Sequence, residues 1–131
     1  MEHLKADDLT IEATQGESGP LTLTWKGKSD DRYPGKILAP YFAKVLDHAA
    51  EHGTGVEMHF EKLDHFNSST IAAVIRFIQD ARGKAVKLVI VYNQQLKWQK
   101  LSFDALRVFA KDDLLELRPL AASGSPPAAT S

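Results

Sequence analysis

Hydrophobic and polar residues alternate over LTIEAT (residues 9–14) and again over LTLTWKG (21–27), with Gly16, Gly19 and Pro20 between them as turn formers. The pattern predicts a pair of strands. KSDDRYPG (28–35) is a polar break, after which Ile37, Leu38, Tyr41, Phe42, Val45, Leu46 and Ala49 recur at helical spacing until Gly53 and Gly55. A first helix with one apolar face is expected there. VEMHF (56–60) alternates as a strand, and Ile71, Val74, Ile75 and Ile78 carry the i, i+3, i+4, i+7 spacing of a second helix. In KLVIVY (87–92) the unbroken run Leu88, Val89, Ile90, Val91 predicts a strand sheltered on both faces of a parallel sheet. Trp98, Leu101, Ala105, Val108 and Phe109 predict a third helix, with Ser102 and Asp104 as an alternative start one turn later. LLELR (114–118) is a short last strand.

Strands that alternate with helices after an opening pair imply right-handed crossovers and a parallel sheet, to which the N-terminal hairpin adds an antiparallel member. The expected fold is α/β: a mostly parallel mixed sheet of about five strands with about three packed helices. A chain of 131 residues with 44% hydrophobic content suffices for one core. We expect a single domain over residues 1–120, followed by AASGSPPAATS (121–131), whose composition predicts a disordered tail.

Composition narrows the function classes. There is no Cys, hence no disulfide framework and no thiolate metal site, in keeping with a reducing compartment. Sixteen basic residues against 17 acidic ones give a net charge of -1, without the basic excess of a nucleic-acid binder. No apolar stretch has the length of a membrane span, and the opening MEHLKADD lacks a signal-peptide core, so a cytoplasmic protein is expected.

The stretch FNSSTIAAVIRFIQDAR (66–82) holds the most pointed chemistry. Asn67, Ser68, Ser69 and Thr70 stand where the second helix should begin, in a loop at the carboxyl end of a strand, where α/β sheets meet ligands and partners. Asn and Ser are favoured N-caps, and capping alone would account for the cluster. A helix start is also a ready anion site, so a phosphate on Ser68 or Ser69 would be tolerated by the fold. The residues themselves leave both readings open.

The order of elements together with this box resembles the STAS domain, the module of sulphate transporters and anti-sigma-factor antagonists. The resemblance covers nearly the whole folded part of the chain. That family carries a Phe-hydrophobic-Asp-Ser-Ser-Gly loop before an apolar helix, and a kinase phosphorylates a loop hydroxyl to release a bound partner. Here Asn67 takes the place of the Asp, Ser68 and Ser69 the two hydroxyls, and Thr70 the Gly. In the antagonists the second hydroxyl is the acceptor, which implies Ser69. The box is also similar to that of STAS-like regulators of a diguanylate cyclase, which have Asn-Thr-Ser-Ser and a preceding Tyr-Pro, as at Tyr33 and Pro34. In that group the first hydroxyl is used, which implies Ser68. The resemblance further implies a docking surface around the acceptor, formed by His65, Phe66, Asn67 and Thr70. The implied partner is a protein: a kinase, an anti-sigma factor or a diguanylate-cyclase-type effector, with a homodimer as a further candidate. No nucleic acid, membrane or cofactor is implied. A constitutive adaptor with the same scaffold and no used phosphosite is the alternative.

Enzyme chemistry finds less support. His48-Ala-Ala-Glu51-His52 matches the His-x-x-Glu-His pattern of a zinc peptidase class, but it ends a helix, where His suits the negative pole of the dipole, and it lacks a third ligand. His59 and His65, without a paired acid in the sequence, are expected to be surface groups. No Gly-rich phosphate loop or nucleophile elbow occurs. No catalytic residue and no metal ligand are therefore assigned. Lys97, Trp98, Lys100, Arg107 and Lys111 form a locally basic stretch, expected as the solvated side of the third helix. Trp98, Tyr92 and Tyr33 are the candidate interface anchors, should they be exposed.

Overall fold

The alternating segments near the N-terminus become long antiparallel strands. In the computed structural model, which describes residues 1–17 and 19–120, β1 is Leu4–Ala6, β2 Leu9–Gln15 and β3 Leu21–Ser29. Leu9, Ile11 and Ala13 of β2 and Leu21, Leu23 and Trp25 of β3 all point to one side and are buried, with Ile11 opposite Trp25. Burying each large apolar side chain contributes about 1.5–3 kcal/mol, which pins the register, since a one-residue slip would turn the whole set to solvent. β1 is too short to show an alternation and was not expected.

The rest of the chain alternates as expected apart from β5: α1 (Gly35–His52), β4 (Val56–His59), β5 (Leu63–Phe66), α2 (Ser68–Gly83), β6 (Leu88–Asn93), α3 (Lys97–Asp104), a 3-10 turn (Ala105–Phe109) and β7 (Leu115–Leu120). α1 stops at Gly53, whose φ of 65° opens the left-handed cap, and Thr54 N–H closes it on the Ala49 carbonyl. The seven-stranded sheet runs β1-β2-β3-β4-β6-β7, with β5 paired to β3 off that path. β3, β4, β6 and β7 are parallel neighbours, and β5 is also parallel to β3.

β5 lies in what the sequence predicted as loop. β3 pairs with β4 through Thr24 and with β5 from Gly27 to Ser29; between Gly27 and Lys28 the partner moves from Leu63 to His65, so the extra residue is Asp64 of β5. Gly27 has a φ of 86°, and Lys28 N–H donates to the Asp8 carbonyl at 3.0 Å. The bulge lies in β5, and its pairing with β3 holds the segment before α2 on a strand.

Because β3, β4, β6 and β7 follow one another across the sheet in chain order, all three crossovers fall on the same face. One core cluster accordingly takes in the buried residues of α1, α2 and α3 together with Leu88, Ile90 and Tyr92 of β6. β6 is sheltered on both faces as expected, but among the described residues no helix covers the second: Val89 and Val91 form a small separate cluster with Leu120. Tyr92, a candidate interface anchor by sequence, is 1% exposed and belongs to the core. The expected tail at 121–131 lies outside the described residues.

The third helix departs from its predicted facing. Gln99, Phe103 and Leu106 turn to the core, whereas Leu101 and Val108 are each 64% exposed. The polar Gln99 disguised the inward stripe, so the outer apolar stripe read as the core face.

On this second face His59, expected to lack a paired acid, has two, at the period-2 spacing that puts strand residues on one side. Its Nε2 lies 3.0 Å from Glu57 Oε1 and its Nδ1 3.1 Å from Glu61 Oε1. Both ring nitrogens can donate only in the imidazolium, and the hydrogen bonds to Glu61 and then Glu57 hold its pKa above the usual histidine range against the opposing effect of burial. A raised pKa gives stability that is fully present below about pH 6.5 and is lost as pH rises through the folded value. The gap in melting midpoint between wild type and His59→Gln is therefore expected to shrink as pH is raised from about 6 to about 9. A gap independent of pH would show that His59 is neutral throughout.

Candidate functional site

Asn67 is the N-cap of α2, and both halves of its amide are used. Oδ1 accepts from Thr70 N–H at 2.9 Å and from the Thr70 hydroxyl at 2.8 Å, while Nδ2 donates to the Asp31 carbonyl at 2.8 Å. The amide nitrogen of Thr70 can only donate and the Asp31 carbonyl can only accept, so the network fixes the orientation of the side chain. An Asp here could cap the helix but would set a carboxylate against a carbonyl. That is a physical reason for Asn in a box of this kind. The backbone N–H of Asn67 donates to the Ser29 carbonyl, tying the start of α2 to the end of β3.

Thr70 was expected at a docking surface and is instead 0% exposed. Its hydroxyl lies 2.7 Å from the Ser29 hydroxyl and 3.1 Å from the Ser29 carbonyl. It fastens the loop from beneath and offers nothing to a partner. Phe66 is also largely core, with ring centroids 5.1 Å from Trp98 and 5.4 Å from Phe103. His65 is exposed on β5, with its ring 6.2 Å from Trp98.

Ser68 and Ser69 are both exposed, in the first turn of α2. The amide groups of a first helical turn lack intrahelical acceptors and carry the positive end of the dipole. Each hydroxyl is open to a modifying enzyme, and a negative group on either would sit at that positive end. They differ in one respect. Ser68 borders an open groove of about 410 Å³ between α2 and the α3/3-10 unit, lined also by Ile71, Ile75, Ala105 and Phe109, whereas Ser69 does not line it.

Gln99 was not picked out by sequence and holds this end of the molecule together. It is 0% exposed; Oε1 accepts from Asn93 N–H at 2.8 Å, and Nε2 donates to the carbonyls of Phe60 at 2.7 Å and Leu63 at 3.2 Å. One side chain thus joins the β4–β5 turn, the end of β6 and the start of α3. Its spacing with Phe103 and Leu106 (i, i+4, i+7) was the available signal. Tyr92 adds a second tie, its hydroxyl donating to Asp104 at 2.8 Å and accepting from Arg107 at 2.9 Å.

His48 and His52 stack with centroids 4.1 Å apart at the end of α1. His48 Nε2 is engaged with Gln15, and His52 Nδ1 with the His48 carbonyl. No group of three or more His, Asp or Glu side chains is arranged to hold a metal among the described residues. Among the same residues, no helix is long and apolar enough to cross a membrane.

The anti-sigma factor antagonist SpoIIAA in its unphosphorylated form superposes on 80% of this chain and 86% of its own, with a TM-score of 0.50 and 16% identity. The chain has the STAS-like fold. An uncharacterized DUF3478-family protein with a SpoIIAA-like fold, from Shewanella loihica, matches 89% of this chain and 87% of its own at a TM-score of 0.50 and 13% identity. No family model matches the sequence, and no curated protein matches it significantly. The likeness is one of fold, as expected from the order of elements around the Asn67–Thr70 box.

Proposed function

We propose that this protein is a partner-switching regulator, with no catalysis of its own, that docks a signalling protein at the N-terminal end of α2 and is released by phosphorylation there. The observation that carries the reading is the pair of exposed hydroxyls, Ser68 and Ser69, on a helix start that Asn67, Thr70 and Ser29 hold rigidly in place. The STAS-like fold supports a kinase, anti-sigma factor or diguanylate-cyclase-type effector as the class of partner. Ser68 is the favoured acceptor, because it also borders the apolar groove.

A phosphate adds roughly -1.5 to -2 charge, and the helix terminus offsets its cost within the domain by about 0.3–1 kcal/mol. Folding is thus little affected. A partner packed over the loop must instead bury that charge without a counter-ion, at a cost of several kcal/mol. The switch acts on the complex and spares the fold.

Ser68→Asp is expected to weaken the complex with the protein that co-purifies from the native cell by about 1–3 kcal/mol in calorimetry, with Ser68→Ala close to wild type. Ser69→Asp and Ser69→Ala provide the comparison for the neighbouring hydroxyl. Unfolding midpoints should stay within about 1 kcal/mol of wild type in all four variants. Equal binding by wild type and both Asp variants would leave the serines as part of a constitutive adaptor.

A further inference from the structure

β7 ends the sheet on one side, and among the described residues β6 is its only paired neighbour. It runs for 6 residues, against 3 for β1 at the other end. A parallel strand directs the backbone groups of alternate residues to opposite sides. Leu88 N–H donates to the Leu114 carbonyl at 2.8 Å and Gln94 N–H to the Leu120 carbonyl at 3.2 Å, so residues 114, 116, 118 and 120 direct theirs to β6. The groups of Leu115, Leu117 and Pro119 therefore point off the sheet. Pro119 removes one outward donor, but Leu115 and Leu117 keep theirs on an edge ready to pair.

The side chains say what fits that edge. About Leu117 the stretch LLELRPL (114–120) is self-complementary: Glu116 mirrors Arg118, Leu114 mirrors Leu120, and Leu115 mirrors Pro119. In an antiparallel pair of β7 strands centred on Leu117, the two Leu117 residues exchange N–H to carbonyl bonds, and each Leu115 N–H meets the Pro119 carbonyl of the second copy. The missing Pro119 donor leaves only the Leu115 carbonyl, at the end of the paired stretch, to water. Between these bonded positions Glu116 stands opposite Arg118 of the second copy, where cross-strand side chains approach most closely. Both side chains lie on the face of Val89 and Val91, 43% and 42% exposed. Within one chain they already bond at 2.9 Å, and Lys87 lies 4.0 Å from Glu116, so the second copy extends an existing alternation of charge.

Moving the centre by one residue sets Glu116 against Glu116 or Arg118 against Arg118, and like charges directly opposite are destabilising. Charge thus selects one register. Asp112 and Asp113 lie beyond the mirrored stretch, and Asp112 is held by Arg82. We propose that two copies of this chain associate through their β7 edges, antiparallel and centred on Leu117, into one continuous sheet with two-fold symmetry. α2 begins at the carboxyl end of the parallel strands, so the two copies carry Ser68 and Ser69 towards opposite ends of the joined sheet, where each can meet a partner independently. The pairing does not rest on the switch reading.

The test uses the full chain. Sedimentation velocity from about 1 μM to about 1 mM should show a reversible monomer–dimer equilibrium. Amide exchange at Leu115 and Leu117 should slow as the dimer fills, while Glu116 and Arg118, already bonded to β6, change little. Glu116→Arg should weaken the dimer at least about tenfold, and Glu116→Arg combined with Arg118→Glu should restore it to within about threefold, both with the unfolding midpoint of dilute wild type. The chain has no Cys, so Glu116→Cys mixed with Arg118→Cys should cross-link under oxidation faster than either variant alone. A monomer throughout the range, a dimer whose Leu115 and Leu117 amides exchange as in the monomer, a dimer indifferent to Glu116→Arg, or one that the double variant does not restore would each overturn the proposal.

Discussion

Gly27→Ala is expected to cost at least about 3 kcal/mol of stability, among the largest effects of any single substitution in this chain. A Cβ built at Gly27 would stand 1.9 Å from the Asp8 carbonyl oxygen and 3.2 Å from its carbon, both backbone atoms with no rotamer to give way. The residue also holds a φ of 86°, which adds about 1 kcal/mol of strain for a side chain. Relief would require the β1–β2 turn at Asp8 to move away from β3. That would disturb the Lys28–Asp8 hydrogen bond and, through Ser29, the strand to which Asn67 and Thr70 are tied. Chemical denaturation should show a lower midpoint, equivalent to a fall of roughly 10 °C or more in melting temperature. Gly16→Ala, where nothing lies within 4 Å of the added carbon, is the control and should be close to neutral. A Gly27→Ala protein within about 0.5 kcal/mol of wild type would mean that the close approach of the Asp8 carbonyl to β3 is not needed.

The second large effect is expected at Gln99. Gln99→Leu keeps most of the volume and removes every hydrogen bond of the side chain, leaving the Asn93 N–H and the Leu63 carbonyl without it, while the Phe60 carbonyl keeps only the bond from Leu63 N–H. Each buried group left unsatisfied costs about 1–3 kcal/mol, and partial access to water at the turns lowers the sum to roughly 3–5 kcal/mol. The loss should be local as well as global. Amide exchange should quicken at the β4–β5 turn and at Asn93, while Ile11 and Leu23 in the far strands change only with overall stability. A loss below about 1 kcal/mol would show that these turns are held by other contacts.

Both substitutions bear on the switch through its support. Gly27 places the strand that anchors the loop, and Gln99 joins that loop's strand to the helix on the opposite wall of the groove. Ser68 and Ser69 contribute little to the fold, and the surrounding scaffold holds them in position. The proposed switch, a change of charge that spares the fold, requires that division.

Local pattern determined a good deal. Alternation over residues 9–14 and 21–27, helical spacing in α1 and α2 and the unbroken apolar run of β6 each encode an element, because their periods follow from backbone geometry. The Asn67 cap was legible for the same reason, since its acceptor bond spans only three residues. What the tertiary structure alone decided involves partners far apart in the chain. The Asn67 amide finds Asp31 across 36 residues and Thr70 finds Ser29 across 41, so the burial of Thr70 and the need for Asn at the cap had no local signature. β5 became a strand because β4 pairs with β3 only through Thr24, which leaves the end of β3 free to pair with it. α3 carried two apolar stripes, and periodicity records that a face is apolar without saying what it will meet. Packing turned Gln99, Phe103 and Leu106 inward because their hydrogen bonds and rings fit the turns below, and left Leu101 and Val108 facing outward.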